Sequence, residues 1–269
     1  MKAINKDILR EILKTKSKFL SIVVIMFLGV FIFVGLKETS PAMENTYNKH
    51  LAQHNMYDIR VSHSIGVTQG DLDIINKMNN IDKLETYYTK KLQIENKNDY
   101  LSLESIPKEL ATPSIISGRL PENSDEVALV DSLASKYKIG DEIQFVKEEN
   151  AKNKLTTYKY KIVGFVQGAD HVEVSSNNVA NVSYFGYILK DNFVYDSVSG
   201  VNIKLKNMPS LYSSKEYIDE VNKVREDLIS SLASQQEKDA KDYKDETLSA
   251  ISSNESKIAE GKKTLNGYL

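Results

Sequence analysis

The chain has 269 residues, no cysteine, no tryptophan and only five prolines. Without thiols it can form no disulfide, no thiolate zinc site and no cysteine nucleophile. Its formal net charge is −2 at pH 7, so nothing draws the chain as a whole to nucleic acid. The phosphate-cradling signature Gly-x4-Gly-Lys-Ser/Thr fails at Gly261-Lys262, because position 256 is Ser256. There is no Gly-x-Ser-x-Gly elbow either. Ser105 and Lys108 match a Ser-x-x-Lys spacing, but Pro107 between them opposes the helix such a pair needs. His50 and His54 stand one helical turn apart, yet no glutamate follows His50, so the zinc-protease pattern fails. They read as polar residues of a helix. Asp170, His171 and Glu173 gather in a polar stretch that reads as a loop, the one place where a cation could find several side chains. The expectation is a non-enzymatic chain with no catalytic residue, no cofactor and no metal.

Long apolar runs are also missing, with one exception. Residues 19–36, FLSIVVIMFLGVFIFVGL, contain no charge and only Ser21 as a polar side chain. A helix of that length reaches roughly 27 Å, close to the hydrocarbon thickness of a bilayer. Before it stand Lys2, Lys6, Arg10, Lys14, Lys16 and Lys18 against Asp7 and Glu11. Cationic flanks stay inside, so the N-terminus is expected in the cytoplasm and the bulk of the chain outside. Ile4, Ile8, Leu9, Ile12 and Leu13 fall at helical spacing, which predicts an amphipathic helix over residues 1–18 on the inner leaflet, in contact with lipid. No Ala-x-Ala cleavage signal follows the run, and Pro41 is badly placed for one, so an uncleaved anchor is expected. A bias toward Lys, Asn, Ile and Tyr agrees with a Gram-positive bacterium of low GC content.

Beyond the run, residues 41–55 read as a helix continuing outward. Tyr57, Ile59 and Val61 alternate with polar residues as a half-buried strand. Thr68 and Asp71 form a capping-box start, followed by the stripe Leu72, Ile75 and Met78, ended by Asn79-Asn80. Tyr88, Leu92 and Ile94 then give a second strand and complete a β-α-β unit. Residues 101–106, 126–130, 143–146 and 158–166 read as strands of a separate β-rich insertion spanning about 98–183. Residues 184–189 and 198–205 return to strand. Ser213 and Glu216 open a long helix as a capping box, with Tyr217, Val221, Val224, Leu228 and Leu232 as its stripe. Ala240, Tyr243, Ile251, Ile258 and Leu265 continue it more thinly, in a weak coiled-coil pattern. About fifty such residues would extend roughly 75 Å. So long a helix needs a partner, either from a second chain or from a longer form of this one.

One ordered series joins these parts. It runs Ser117-Gly118-Arg119-Leu120-Pro121, then Glu126-Val127-Ala128-Leu129-Val130, Ile139-Gly140-Asp141-Glu142-Ile143 and Tyr160-Lys161-Ile162-Val163-Gly164-Phe165. This resembles the extracytoplasmic core domain of FtsX-like and MacB-like ABC transporter permeases. The basic helix and single span before it are similar to that family's first membrane helix, and the helix from Ser213 to its coiled-coil stalk. The resemblance implies an α+β architecture with four parts: a cytoplasmic helix at 1–18, a transmembrane helix at 19–36, a two-lobed outer domain at 37–212 and a long helix at 213–269. It implies a mechanotransmission permease, or its N-terminal piece, partnered by a cytoplasmic ABC ATPase and by a second permease copy or the missing C-terminal half. Family members carry three or more further spans, which this sequence lacks. Gly118, Arg119, Pro121, Glu126, Val127, Gly140, Asp141, Val163 and Gly164 are its motif residues. On physical grounds they are turn and packing residues: Gly118 and Gly140 suit positive φ, and Arg119 can pair with Glu126. The alternative is a single-pass anchored module that binds a peptide, wall polymer or antimicrobial compound.

Overall fold

The computed structural model describes residues 14–97, 99–148, 153–171 and 184–266. The expected interfacial helix lies outside the described residues except for 14–18, as do Glu173 and most of the polar loop. The chain divides into two units, Met1–His50 and Leu51–Leu269.

The first unit is dominated by helix α1, Lys16–Gln53, of which the last three residues belong to the second. It is the one helix among the described residues long and apolar enough to cross a membrane. Every side chain from 19 to 36 is exposed, Phe27, Phe33 and Leu36 by about 70%. A surface that apolar is stable only against lipid or another protein. Two of its hydroxyls bond back to the helix: Ser21 Oγ donates to the Ser17 carbonyl at 2.8 Å and Thr39 Oγ1 to Gly35 at 2.7 Å. The helix continues through Pro41, which removes one hydrogen bond from the ladder.

The second unit holds two main sheets. Strand β1 (Ile59–Val67) leads into helix α2 (Gln69–Asn76), whose N-cap Thr68 forms the capping box with Asp71 that the sequence predicts. Strand β2 (Ile81–Tyr87) follows. Strands β3 (Thr89–Gln93), β4 (Tyr100–Ser105), β5 (Ser114–Gly118), β6 (Glu126–Val130), β7 (Glu142–Gln144), β8 (Lys154–Leu155), β9 (Lys159–Gln167), β10 (Tyr184–Ile188) and β11 (Phe193–Val194) come next. Strand β12 (Val198–Leu205) and helix α3 (Lys215–Asn266) complete the chain.

The smaller sheet has the order β1-β12-β2, both outer strands antiparallel to the central one. The β-α-β unit is therefore split, with β12 inserted between its two strands. Its second strand is Ile81–Tyr87, not the stretch around Leu92, which lies in the other sheet as β3. Asp82, Lys83 and Glu85 explain the misreading, since this edge strand is too polar to announce itself. One face of the sheet is covered by both helices: Ile59, Val201, Ile203 and Leu205 pack with Ile75 of α2 and with Val224, Leu228 and Leu232 of α3. The cap of α3 falls on Ser214, whose hydroxyl accepts from the Tyr217 N–H, one residue later than the pattern at Ser213 predicts.

The larger sheet runs β3-β4-β10-β6-β9-β5, with β7 also on β9. It is mixed: β4 with β10 and β6 with β9 are parallel, the rest antiparallel. Strand β6 is buried at all five residues, as expected where both faces are covered. Leu101, Leu103, Val127, Leu129, Ile162 and Phe185 form its core. The strands of this sheet run from Thr89 to Ile188, so in sequence the sheet lies wholly between β2 and β12.

Candidate functional site

The family-motif residues converge on β9. Gly118 and Gly164 pair across β5 and β9. A Cβ on Gly118, at φ 72°, would lie 2.2 Å from the Val163 carbonyl oxygen, and one on Gly164 would lie 2.3 Å from that of Arg119. Two backbones touch here with no room for a side chain on either. The Arg119 N–H donates to the Val163 carbonyl at 3.1 Å, which turns the chain off the strand. The Arg119 guanidinium then grips Glu126 with two bonds, 2.7 and 2.6 Å. Glu126 also accepts from the backbone N–H of Glu122 and Asn123 and from the Asn123 amide. The Arg119 bonds, reinforced against burial by these N–H groups, hold its carboxyl far below the usual carboxylate range. The pair the sequence allows forms with its acid buried, Glu126 being only 7% exposed. Buried Pro121 sits between the two partners, and buried Val127 follows in β6. On the far side of β9, Gly140 takes φ 99° and its N–H donates to the Ile162 carbonyl. Asp141 closes that turn by accepting from the Lys138 N–H at 2.8 Å. Gly118, Arg119, Glu126, Val127, Gly140 and Asp141 thus meet β9 along its edges, and Val163 and Gly164 lie within it.

A second constellation joins the two sheets. Arg60 of β1 donates to Asp170, just past β9, at 2.6 Å, and through Nε to Asn202 of β12 at 2.8 Å. Its guanidinium lies between two tyrosine rings, 4.5 Å from the Tyr57 centroid and 4.6 Å from that of Tyr87, each a cation–π contact. The Tyr57 hydroxyl also reaches Asp170, at 3.3 Å. Beside it, His171 stacks on Phe185 with centroids 4.0 Å apart and meets Glu104 of β4 through Nε2 at 3.2 Å. Burial disfavours the charged imidazole, but the hydrogen bond and charge of Glu104, with Asp170 adding to them, raise its pKa above the ordinary histidine value. Tyr187 closes the seam, and its hydroxyl is buried with no partner among the described residues. Burial drives that phenol's pKa far up. The cavity here measures about 20 Å³, on the scale of one water molecule.

The described part of the polar stretch, Asp170 and His171, is engaged in ion pairs. Asp170 neutralises Arg60, and His171 is paired with Glu104. Among the described residues no group of three or more potential metal ligands comes together. Of the histidine pair, His54 lies just beyond α1, is part-buried, and bonds through its two nitrogens to the Thr112 carbonyl and the Ser114 hydroxyl. Ser105 ends strand β4 and accepts from the Tyr88 N–H, and Lys108 lies outside any helix, so the Ser-x-x-Lys spacing does not fall on a helix.

A third group fastens α3 to the smaller sheet. The fully buried carboxylate of Asp58 accepts from the Tyr217 hydroxyl at 2.5 Å, Lys204 Nζ at 2.9 Å and the Leu205 N–H at 2.6 Å. One carboxylate thus binds the start of β1, the end of β12 and the first turn of α3. Farther out the helix changes character. Every residue from 240 to 263 is exposed, including Tyr243, Leu248, Ile251 and Ile258.

No family model matches the chain, and no curated protein matches it. Solved structures do. The extracellular domain of the noncanonic ABC-type transporter YknZ from Gram-positive bacteria is similar at 11% identity and a TM-score of 0.35, covering 61% of this chain and 86% of that one. The periplasmic region of MacB from Actinobacillus actinomycetemcomitans is similar at 13% identity and a TM-score of 0.38, covering 64% and 76%.

Proposed function

We propose that the chain belongs to a permease subunit of an ABC transporter of the mechanotransmission kind, anchored by α1 with its N-terminus in the cytoplasm and the second unit outside. It has no chemistry of its own in this reading. A cytoplasmic ATPase would move the membrane helices, and the outer domain with α3 would shift in response. The observation that carries this is the wiring of the smaller sheet. The helix holding the apolar segment ends at Gln53, six residues before β1, and β12 leads within ten residues into the 52-residue α3. Displacement along the first helix thus enters the sheet from which the second departs. Helices suit this role because their hydrogen-bond ladders, broken in α1 only at Pro41, resist bending.

The absence of native cysteine supplies a clean test. A single Ser124→Cys variant in intact cells should react with a membrane-impermeant maleimide, since Ser124 is exposed. Labelling only after lysis would overturn the orientation. Crosslinking followed by affinity purification should recover an ABC ATPase. Repeated recovery of the chain without one would overturn the coupling while leaving the anchor intact.

A further inference from the structure

The pairing of β1 with β12 breaks in one place. Ser62 faces Gly200 and Val67 faces Val198, so residues 63–66 stand against Ser199 alone. A bulge this large redirects its side chains, and bulges recur beside binding sites. Gly66 takes φ 89° at its end. Ser197 Oγ donates to the Ile65 carbonyl at 3.2 Å, and the Ile65 N–H reaches His63 Nδ1 at 3.4 Å. With Nδ1 accepting, the imidazole proton sits on Nε2, a donor.

The bulge opens a cleft of about 500 Å³, within the roughly 300–1,000 Å³ typical of small-ligand sites. Among the described residues its walls include His63, Tyr87, Tyr195, Asp196, Ser199 and Tyr243, and no lysine or arginine. This described lining meets an anionic ligand with a carboxyl group rather than a cation. Its described aliphatic side chains are Ile65 and Val198, too few to hold a lipid tail. What the lining does offer is hydroxyls, an imidazole, a single carboxyl group and aromatic surface. Such a mixture suits a neutral ligand that has C–H faces for the rings and many hydroxyls for the polar atoms.

We infer that this cleft binds a neutral saccharide. Tyr243 gives the site a second property, because it comes from the exposed outer stretch of α3. A sugar resting on that ring would bridge the smaller sheet and the outer helix, so ligand affinity and the seating of the helix would be linked reciprocally. The inference does not depend on the transporter reading, since it needs no ATPase.

The test is titration of the detergent-solubilised full chain with chitotetraose and with maltotetraose, followed by saturation-transfer NMR. Tetra-alanine and glycerol phosphate serve as comparison probes. Saturable binding of at least one sugar is expected, weakened by about tenfold or more in Tyr243→Ala and in Asp196→Asn. Both positions are exposed, and an unchanged circular dichroism spectrum would verify folding. Absence of saturable binding by both sugars, binding unaltered in both variants, or tighter binding of the peptide or the phosphate would each overturn the assignment.

Discussion

Arg60 and Asp170, 110 residues apart in the chain, meet at 2.6 Å across the seam between the two sheets. The carboxylate is nearly inaccessible, its side chain 6% exposed, while the guanidinium is 33% exposed. Removing the buried partner strands a charge between two tyrosine rings. Asp170→Asn is expected to cost about 1–3 kcal/mol in denaturant unfolding, the range for a lost charged hydrogen bond at a half-buried site. In a double-mutant cycle with Arg60→Met, the double variant should cost less than the sum of the singles. Strict additivity would mean that the pair does not hold the seam.

The seam should respond to pH through His171. Its pKa is raised in the folded state by Glu104 and Asp170, against burial and the charge of Arg60. The stabilisation is thus fully present below the unfolded histidine value, near 6.5, and is lost as pH rises through the folded value. Relative to His171→Gln, the parent protein should lose thermal stability as pH climbs from about 6 to 8. Parallel curves for the two proteins would show that the imidazole is not coupled to folding.

Glu126 carries the opposite sign. Its folded pKa is depressed by Arg119 and the surrounding N–H groups, so its contribution is present above the unfolded value and fades as pH falls. Glu126→Gln should lower the midpoint at pH 7 by about 5 °C. That gap should narrow steadily below about pH 4, as the carboxyl protonates in the unfolded parent while the folded one stays ionised. A gap independent of pH would locate the effect in shape rather than charge.

Two glycines should behave in opposite ways. Gly164→Ala drives a methyl group into the Arg119 carbonyl and should cost about 2–4 kcal/mol or abolish folding. Gly261 lies in α3 with nothing near its Cβ position, so Gly261→Ala should add helix stability, by about 0.5–1 kcal/mol. Thermal scans of the two variants decide both.

Helix α3 offers a last contrast. Leu228 is 3% exposed and Ile251 is 49% exposed. Leu228→Ala should destabilise the chain by about 2–5 kcal/mol, and Ile251→Ala by under about 0.5 kcal/mol. If a second helix covers the outer half in an assembled complex, Ile251→Ala should weaken that association while leaving this unit's own midpoint unchanged.

What could be read from residues alone follows the range of the interactions. The apolar run, the Thr68–Asp71 box and the apolar strand at 126–130 are local signals, and each appears where its pattern predicts. The turns at Gly118 and Gly140 were legible for the same reason. Strand β2 was missed because Asp82, Lys83 and Glu85 hide it. Strand β5 was missed because Ile115 and Ile116 are exposed and its position is set by Gly164, far along the chain. The Arg60 seam and the Asp58 anchor were invisible, since neither has a local pattern. Asp170 and His171 drew attention as a polar cluster, but their partners Arg60 and Glu104 come from distant strands.

Tyr87 and Gly200 are register partners, and between them in sequence lies the whole of the larger sheet. Its entrance and exit are therefore adjacent, so this body hangs from its host like a cassette from a single slot. A tight turn joining residue 87 to residue 200 could close the host strands with the lobe excised. The same slot would accept a foreign domain whose own ends lie close together, which makes the chain a scaffold for exchanging one inserted module for another.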